Sequence, residues 1–232
     1  MCMLENSVLS QGYGSIAGID EAGRGALAGP VVAACVMLNP GQIPAGINDS
    51  KKLTDKRRRE LYDRIMEQAL AVGVGAVEPV IIDNINIYNA TKLAMKKALV
   101  NLQSPPDFLL IDAVKLYDIS ISSISIPKGD ERSVSIAAAS IIAKVYRDDV
   151  MITYADRYPE YRFSSHKGYG TAAHRDALQK YGPTELHRFS YSPVRECMRD
   201  GNQGHNPEKN SRNHIGCSET RKPAPGQGPE TY

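Results

Sequence analysis

Four acidic side chains stand where an apolar core has little use for them. Asp20 and Glu21 end the apolar run SIAGI, Asp112 ends FLLI, and Asp130 follows Lys128-Gly129 just ahead of a long Ala- and Ile-rich stretch. A carboxylate at the end of a buried strand costs free energy unless something neutralises it. Taken singly, each acid can cap a helix or pair with a nearby Arg or Lys. If the segments are neighbours, the carboxylates cluster and raise one another's pKa, and a cation becomes the natural occupant. With no Cys or His nearby, all-oxygen donors select Mg²⁺ or Mn²⁺ over Zn²⁺. Two such ions roughly 3.5–4 Å apart activate a water and stabilise the leaving oxygen in phosphodiester hydrolysis.

The segment after Glu21 carries Gly23-Arg24-Gly25 and then Gly29-Pro30. The glycine spacing is off by one for a dinucleotide loop, and the apolar run VVAACVML follows where a phosphate-cradling helix belongs. No GxxxxGK[ST] occurs, so a P-loop is also excluded. The glycines either make a tight hairpin or let main chain approach a polynucleotide backbone, with Arg24 aimed at a phosphate. Basic and aromatic groups complete the pattern. Asp49-Ser50-Lys51-Lys52 precedes the run Lys56 to Arg59, which by itself reads as a solvated helix face. Ser164-Ser165-His166-Lys167-Gly168-Tyr169-Gly170-Thr171 sets an exposed Tyr between glycines, where it can stack on a sugar or base while hydroxyls and Lys167 hold phosphates. His174 and His187 lack metal-ligand spacing and read as ordinary surface or helix residues.

Alternating elements must position these groups. Ser15 to Asp20 and Val31 to Leu38 read as strands around the glycine-rich turn, and Thr54 to Leu70 as an amphipathic helix capped by Thr54. Ala69 to Val77 reads as a small-residue strand, Asn89 to Leu102 as a helix, and Phe108 to Ile111 as a short buried strand. Ile119 to Ile126 alternates Ile and Ser, predicting a strand with one wet face. Ser133 to about Tyr154 predicts a long helix through the core, followed by helices at Thr171 to Lys180 and around Pro193 to Met198. The pattern predicts an α/β domain with a mixed sheet and a helical C-terminal segment.

The chain of 232 residues is long enough to bury a sizeable core, and its 42% hydrophobic and 23% charged residues are ordinary globular values. With no Trp and three Phe against twelve Tyr, aliphatic residues must fill that core. The formal charge of +2 neither announces nor excludes a nucleic-acid partner, so a local basic face must do any phosphate attraction. Cys2, Cys35, Cys197 and Cys217 form no CxxC pair, and Cys35 reads as core. No secretory signal or bilayer-length apolar stretch is visible, which predicts a soluble, cytoplasmic chain with no membrane partner. We expect a short lead over 1–14, one domain over 15–199, and a disordered tail over 200–232, where four acidic residues balance four basic ones.

The motifs GIDEAGRG from Gly18, DSKKL from Asp49, Leu110-Ile111-Asp112, Lys128-Gly129-Asp130, SIAAASIIAKV from Ser135 and HKGYGT from His166 occur in this order. As a set they resemble the bacterial ribonuclease HII family, across about Ser15 to Glu196. The resemblance implies a ribonuclease H-like fold with a five-stranded mixed sheet, flanking helices and a helical C-terminal extension. It implies an endoribonuclease that cleaves the RNA strand of RNA–DNA hybrids and incises 5′ of ribonucleotides embedded in duplex DNA. Such cutting leaves 5′-phosphate and 3′-hydroxyl ends and serves ribonucleotide and primer removal. It further implies that Asp20, Glu21, Asp112 and Asp130 bind two Mn²⁺ or Mg²⁺ ions. Gly23, Arg24 and Gly25 would read the 2′-hydroxyl, and Tyr169 would pack on the ribonucleotide sugar. Ser50, Lys51, Lys128, Ser165 and Lys167 are further candidate substrate contacts in a monomeric enzyme. Alternatives are a non-catalytic hybrid-binding module and another ribonuclease H-like nuclease, a resolvase or exonuclease. Ala26 stands where the family usually has Pro, a change expected to loosen the recognition loop.

Overall fold

The structure, a computed structural model, describes residues 2–48 and 50–201, without the side chains of residues 200 and 201. Asp49 and the tail expected beyond residue 201 lie outside the described residues. Five strands form one mixed sheet: β1 (Ile16–Ala22), β2 (Val31–Met37), β3 (Ala71–Val77), β4 (Phe108–Asp112) and β5 (Ser122–Ile126), in spatial order β3-β2-β1-β4-β5. The glycine-rich turn makes β1 and β2 antiparallel, and β3 continues antiparallel to β2. β4 runs parallel to β1, after two intervening α-helices and β3, and β5 runs parallel to β4 across a connection, 113–121, that holds no helix.

Side-chain alternation along β1 and β2 divides the core in two. Ala17, Ile19, Val31, Ala33 and Cys35 face α3 (Pro79–Val100), through Ala94, Met95 and Ala98. Val32, Ala34 and Val36 face α2 (Asp55–Gln68), through Leu61 and Ile65, and α4 (Val134–Arg157), through Ala138 and Ile142. Thr54 caps α2 by accepting the Arg57 N–H, and Ser133 caps α4 by accepting the Ile136 N–H. A short α5 (Phe163–His166), then α6 (Ala172–Tyr181) and α7 (Ser192–Gly201), form a C-terminal layer with its own core of Leu27, Met151, Phe163, Leu178 and Val194. At the other end, α1 (Met3–Leu9) covers Ile16 and Ile136 with Val8.

Three stretches depart from expectation. The helix expected from Asn89 begins at Pro79, because Pro79 occupies the first turn and Asn86 interrupts the helix at φ 65°. Asn86 then accepts the Asn89 N–H, so the residue read as a start is the start of the second half. The Ile/Ser strand forms its ladder only over Ser122–Ile126. Its alternation slips phase at Ser122-Ser123, so Ile119 and Ile121 turn to the α3 core while Ile126 turns to the α1 side, and no single wet face results. Finally, α1 occupies the stretch expected as a lead. Its buried Glu5 accepts from the Ser133 hydroxyl at 2.5 Å and the Ser135 N–H at 3.0 Å, at the N-terminus of α4.

Close approach of β1 to α4 requires Gly18, where an added Cβ would fall on the Ser135 backbone. Gly18→Ala is expected to lower stability by about 1–3 kcal/mol or more through overpacking. Urea unfolding measures this, and an unmoved midpoint would mean that the strand and helix are not in contact.

Candidate active site

The parallel register of β1 and β4 pairs Ile19 with Ile111, so the next residues, Asp20 and Asp112, emerge side by side at the same sheet edge. Glu21 follows on β1. Asp130 enters from a single helical turn, Gly129–Glu131, that β5 delivers beside β4 through Lys128 at φ 54°. The Gly129 N–H donates to Asp112 Oδ1 at 2.6 Å, which ties the turn to the strand end.

Burial and like charge act on these acids together. Asp20 is held well above the ordinary carboxylate pKa, first by burial and then by the charges of Glu21 and Asp112, with a Ser140 hydrogen bond opposing. Burial also raises Glu21, against the pull of Arg24, and raises Asp112, against the Gly129 N–H. Donors engage the remaining oxygens unevenly. Arg24 Nη1 meets Glu21 Oε1 at 3.0 Å and Lys51 Nζ meets Asp130 Oδ2 at 3.3 Å, while Glu21 Oε2 is buried without any partner. Among the described residues, no three carboxylates, imidazoles or thiols close into a ready-made metal-binding group. The four acids therefore share one region and one field without forming a closed cage.

The pocket beside them is walled by Glu21, Gly23, Arg24, Ser50, Lys51, Arg58, Ser140, Lys144 and Tyr169. Ser50 and Ser140 hydroxyls meet at 2.8 Å, which fixes the Ser50–Lys52 turn on α4. Arg58 is not a solvated member of its basic run: it donates to the Ser50 and Leu53 carbonyls and holds that loop in place. The half-buried Tyr169 ring lies under Lys144 and Arg147, at 5.5 and 5.1 Å from its centroid. Lys128 is exposed on its turn. Ser165 is exposed on α5 and is absent from the pocket wall, while Lys167 donates to the Ser164 carbonyl.

Two buried arginines build the recognition loop. Arg147 donates to the carbonyls of Ala28, Pro30 and Lys167 at 2.9–3.1 Å. Arg188 donates twice to Gly29 and once to Arg24, whose carbonyl also receives the Tyr191 hydroxyl. The loop and the Tyr169 segment also meet directly, through an Ala26–Tyr169 bridge and a Leu27 N–H bond to Gly168. Ala26 is fully buried and its N–H donates to Gly23, a bond proline lacks, so the residue closes the turn rather than loosening it. Of the two histidines read as surface or helix residues, His174 lies on α6, and both it and His187 are fully buried rather than at the surface. Arg147, Ser140 and Lys144 have one legible signal, polar residues at helical spacing in an apolar helix. Arg188 and the histidines have none, because their role depends on contacts far away in sequence.

The ribonuclease HII family model matches residues 17–194. The chain belongs to the ribonuclease HII family. Ribonuclease HII of Chlamydia trachomatis serovar A is 54% identical over 200 residues, covering 86% of this chain and 92% of the relative. That of Acetivibrio thermocellus is 55% identical over 192 residues, 83% of this chain and 75% of the relative. The crystal structure of ribonuclease H2 from Pyrococcus horikoshii has the same fold, with a TM-score of 0.71 at 24% identity over 82% of this chain and 100% of that one. Among the described residues, no helix is long and apolar enough to cross a membrane.

A carboxyl whose folded pKa is raised keeps its proton more tightly than the unfolded chain does. Stability is therefore lost as pH rises above 3.8 and through the folded value of Asp20. In metal-free buffer, Asp20→Asn is expected to melt higher than the parent at pH 7, by about 1 kcal/mol or more, with the gap vanishing toward pH 3. Thermal melts across pH measure it, and a variant that melts lower at pH 7 would contradict the assigned burial and charge.

Proposed function

We propose that this chain, as a ribonuclease HII, is a metal-dependent endoribonuclease that hydrolyses the RNA strand of RNA–DNA hybrids and incises 5′ of a ribonucleotide embedded in duplex DNA. The observation that carries the reading is Glu21 Oε2, a carboxylate oxygen buried without a donor beside two other acids whose pKa values burial and mutual charge raise. A bound cation stabilises the ionised form of such a group. The donors are all oxygen, which fits Mg²⁺ or Mn²⁺.

Asp20, Glu21, Asp112 and Asp130 would hold two divalent ions. When bound, the ions lower the pKa of an attacking water and stabilise charge on the leaving 3′-oxygen. Asp20 would hold them together with its charged neighbours Glu21 and Asp112, and the Gly129 N–H fixes one oxygen of Asp112. Arg24 and Lys51 sit close enough to the acids to meet a phosphate that displaces their present contacts. The Gly23–Gly25 main chain would read the 2′-hydroxyl, the one group that separates ribose from deoxyribose at a given site. Its fixed path follows from the Arg188 and Tyr191 bonds to the Arg24 carbonyl. Tyr169 would pack on the same sugar, with its ring held flat by the cations of Lys144 and Arg147.

Two matched duplexes, identical except for a single ribonucleotide, test this. Cleavage is expected only in the ribonucleotide-containing duplex, on its 5′ side, with a 5′-phosphate on the downstream product. Asp20→Asn and Asp112→Asn are expected to lower kcat more than about a hundredfold, since metal-ion stabilisation is worth several kcal/mol. Tyr169→Ala is expected to weaken cutting at the single ribonucleotide by stacking worth about 1–3 kcal/mol. Equal cleavage of the all-DNA duplex would refute ribose reading, and hybrid binding with no cleavage by the parent would indicate a binding module.

A further inference from the structure

Behind Tyr169 lies a buried cluster of three imidazoles that the proposed reaction does not use. His166 and His174 stack with ring centroids 4.5 Å apart, and His174 Nε2 meets His187 Nε2 at 3.1 Å. Phe163 and Tyr161 enclose the rings.

The hydrogen-bond partners dictate which nitrogen of each ring carries hydrogen. His174 Nδ1 faces the Tyr169 carbonyl at 3.0 Å, and a carbonyl only accepts, so Nδ1 is the N–H and Nε2 is bare. His187 Nδ1 receives the Thr184 N–H at 3.0 Å, so its hydrogen is on Nε2 and points at the bare nitrogen of His174. His166 Nε2 faces the Tyr161 carbonyl at 2.7 Å, so its Nδ1 is bare and accepts the Gly168 N–H at 3.3 Å. One consistent set of neutral tautomers satisfies every nitrogen. A proton added to any ring would set N–H against N–H, at His187 Nε2, at the Thr184 amide or at the Gly168 amide.

We propose that His174, braced by His187 and His166, is a positioning residue for Tyr169, and that the bracing holds only while all three rings are neutral. This rests on the reading of Tyr169 given above. The chain reaches Tyr169 at two points, its own carbonyl and the preceding Gly168 amide, so it sets the height and tilt of the ring over Lys144 and Arg147. The charged and titratable groups around the cluster are Arg162 and Lys167 beside His166, and Tyr161 with Glu160, Tyr158, Tyr181 and Cys197 behind it. The two cations oppose a further positive charge. Burial, and then neighbouring charge, takes the pKa of His187 to about 3, and burial takes that of His174 to about 4. The unfolded chain binds these protons from about pH 6.5 downward while the folded protein refuses them, so stability is full above 6.5 and falls as pH drops toward 4.

Two experiments on the full chain test the proposal. With histidine nitrogen-labelled, long-range proton–nitrogen spectra at pH 7.5 to 5.5 are expected to show Nδ1–H for His174 and Nε2–H for His166 and His187, without titration. A charged ring or an opposite tautomer in the folded protein at pH 6 would overturn it. The second is a kinetic cycle of Tyr169→Ala, His174→Ala and the double variant on the single-ribonucleotide duplex. His174→Ala is expected to lose roughly tenfold in kcat/KM, the worth of one buried hydrogen bond, with no further loss once Tyr169 is already Ala. His174→Asn, which keeps a donor for the Tyr169 carbonyl, is expected to recover to within about threefold of the parent. Additive losses would overturn the positioning role while leaving Tyr169 in the site. A silent Tyr169→Ala would overturn the reading of Tyr169 itself, and the positioning role with it.

Discussion

The register of two parallel strands is the constraint from which the site follows. Because β1 and β4 pair Ile19 with Ile111, Asp20, inside β1, and Asp112, at the end of β4, stand next to one another. Neither carboxylate can leave its neighbour without breaking a ladder buried on both faces by α3 and α4. The fold thus stores an unfavourable interaction, like charges in a low-dielectric setting, in the least deformable part of the molecule. Hydrophobic packing on both faces opposes the repulsion, so the acids cannot relax apart as they would on a loop. Such a site loses stability as an apo protein and gains affinity for a divalent cation by the same physical effect.

A second constraint places the recognition loop. Burial lowers the Arg147 pKa to about 10, still far above neutrality, so a full positive charge sits in the interior with backbone carbonyls for partners. Three carbonyls from two separate chain segments converge on it, and Arg188 repeats the device from the C-terminal side. A buried carbonyl left unpaired costs about 1–3 kcal/mol, so the loop, the Tyr169 segment and the C-terminal helices hold position together. Lys128 and Lys167 take left-handed backbone conformations beside the site, a local strain that the surrounding bonds over-determine.

Much of this is legible in the amino-acid sequence. The acids could be read because carboxylates at the ends of apolar runs are anomalies, and an ordered set of short motifs ties them to one family. Strands with small or β-branched residues, the helix capped by Thr54 and the long Ala- and Ile-rich helix from Ser133 are equally plain, since their signals are local. What could not be read depended on distant partners. Nothing around His174 or His187 announces burial, because the aromatic shelter comes from Tyr161 and Phe163 and the acceptor from Tyr169. Glu5 belongs to a stretch without clear periodicity, and its role appears only when Ser133 arrives from 128 residues away. The Ile/Ser strand misleads for a different reason: its phase slip sends Ile119 and Ile121 to one core and Ile126 to another and leaves Ile124 exposed, which alternation counted over the whole run conceals.

The most direct measurement is calorimetric titration of Mn²⁺ into the full chain and into variants that remove one acid from each of the two strands, Asp20→Asn and Asp112→Asn. The account predicts divalent-ion binding by the parent that either single change weakens severely, with no added loss when both are made. Parent-like affinity and stoichiometry in the double variant would contradict it, because the neighbouring acids of β1 and β4 would then not be what grips the ions.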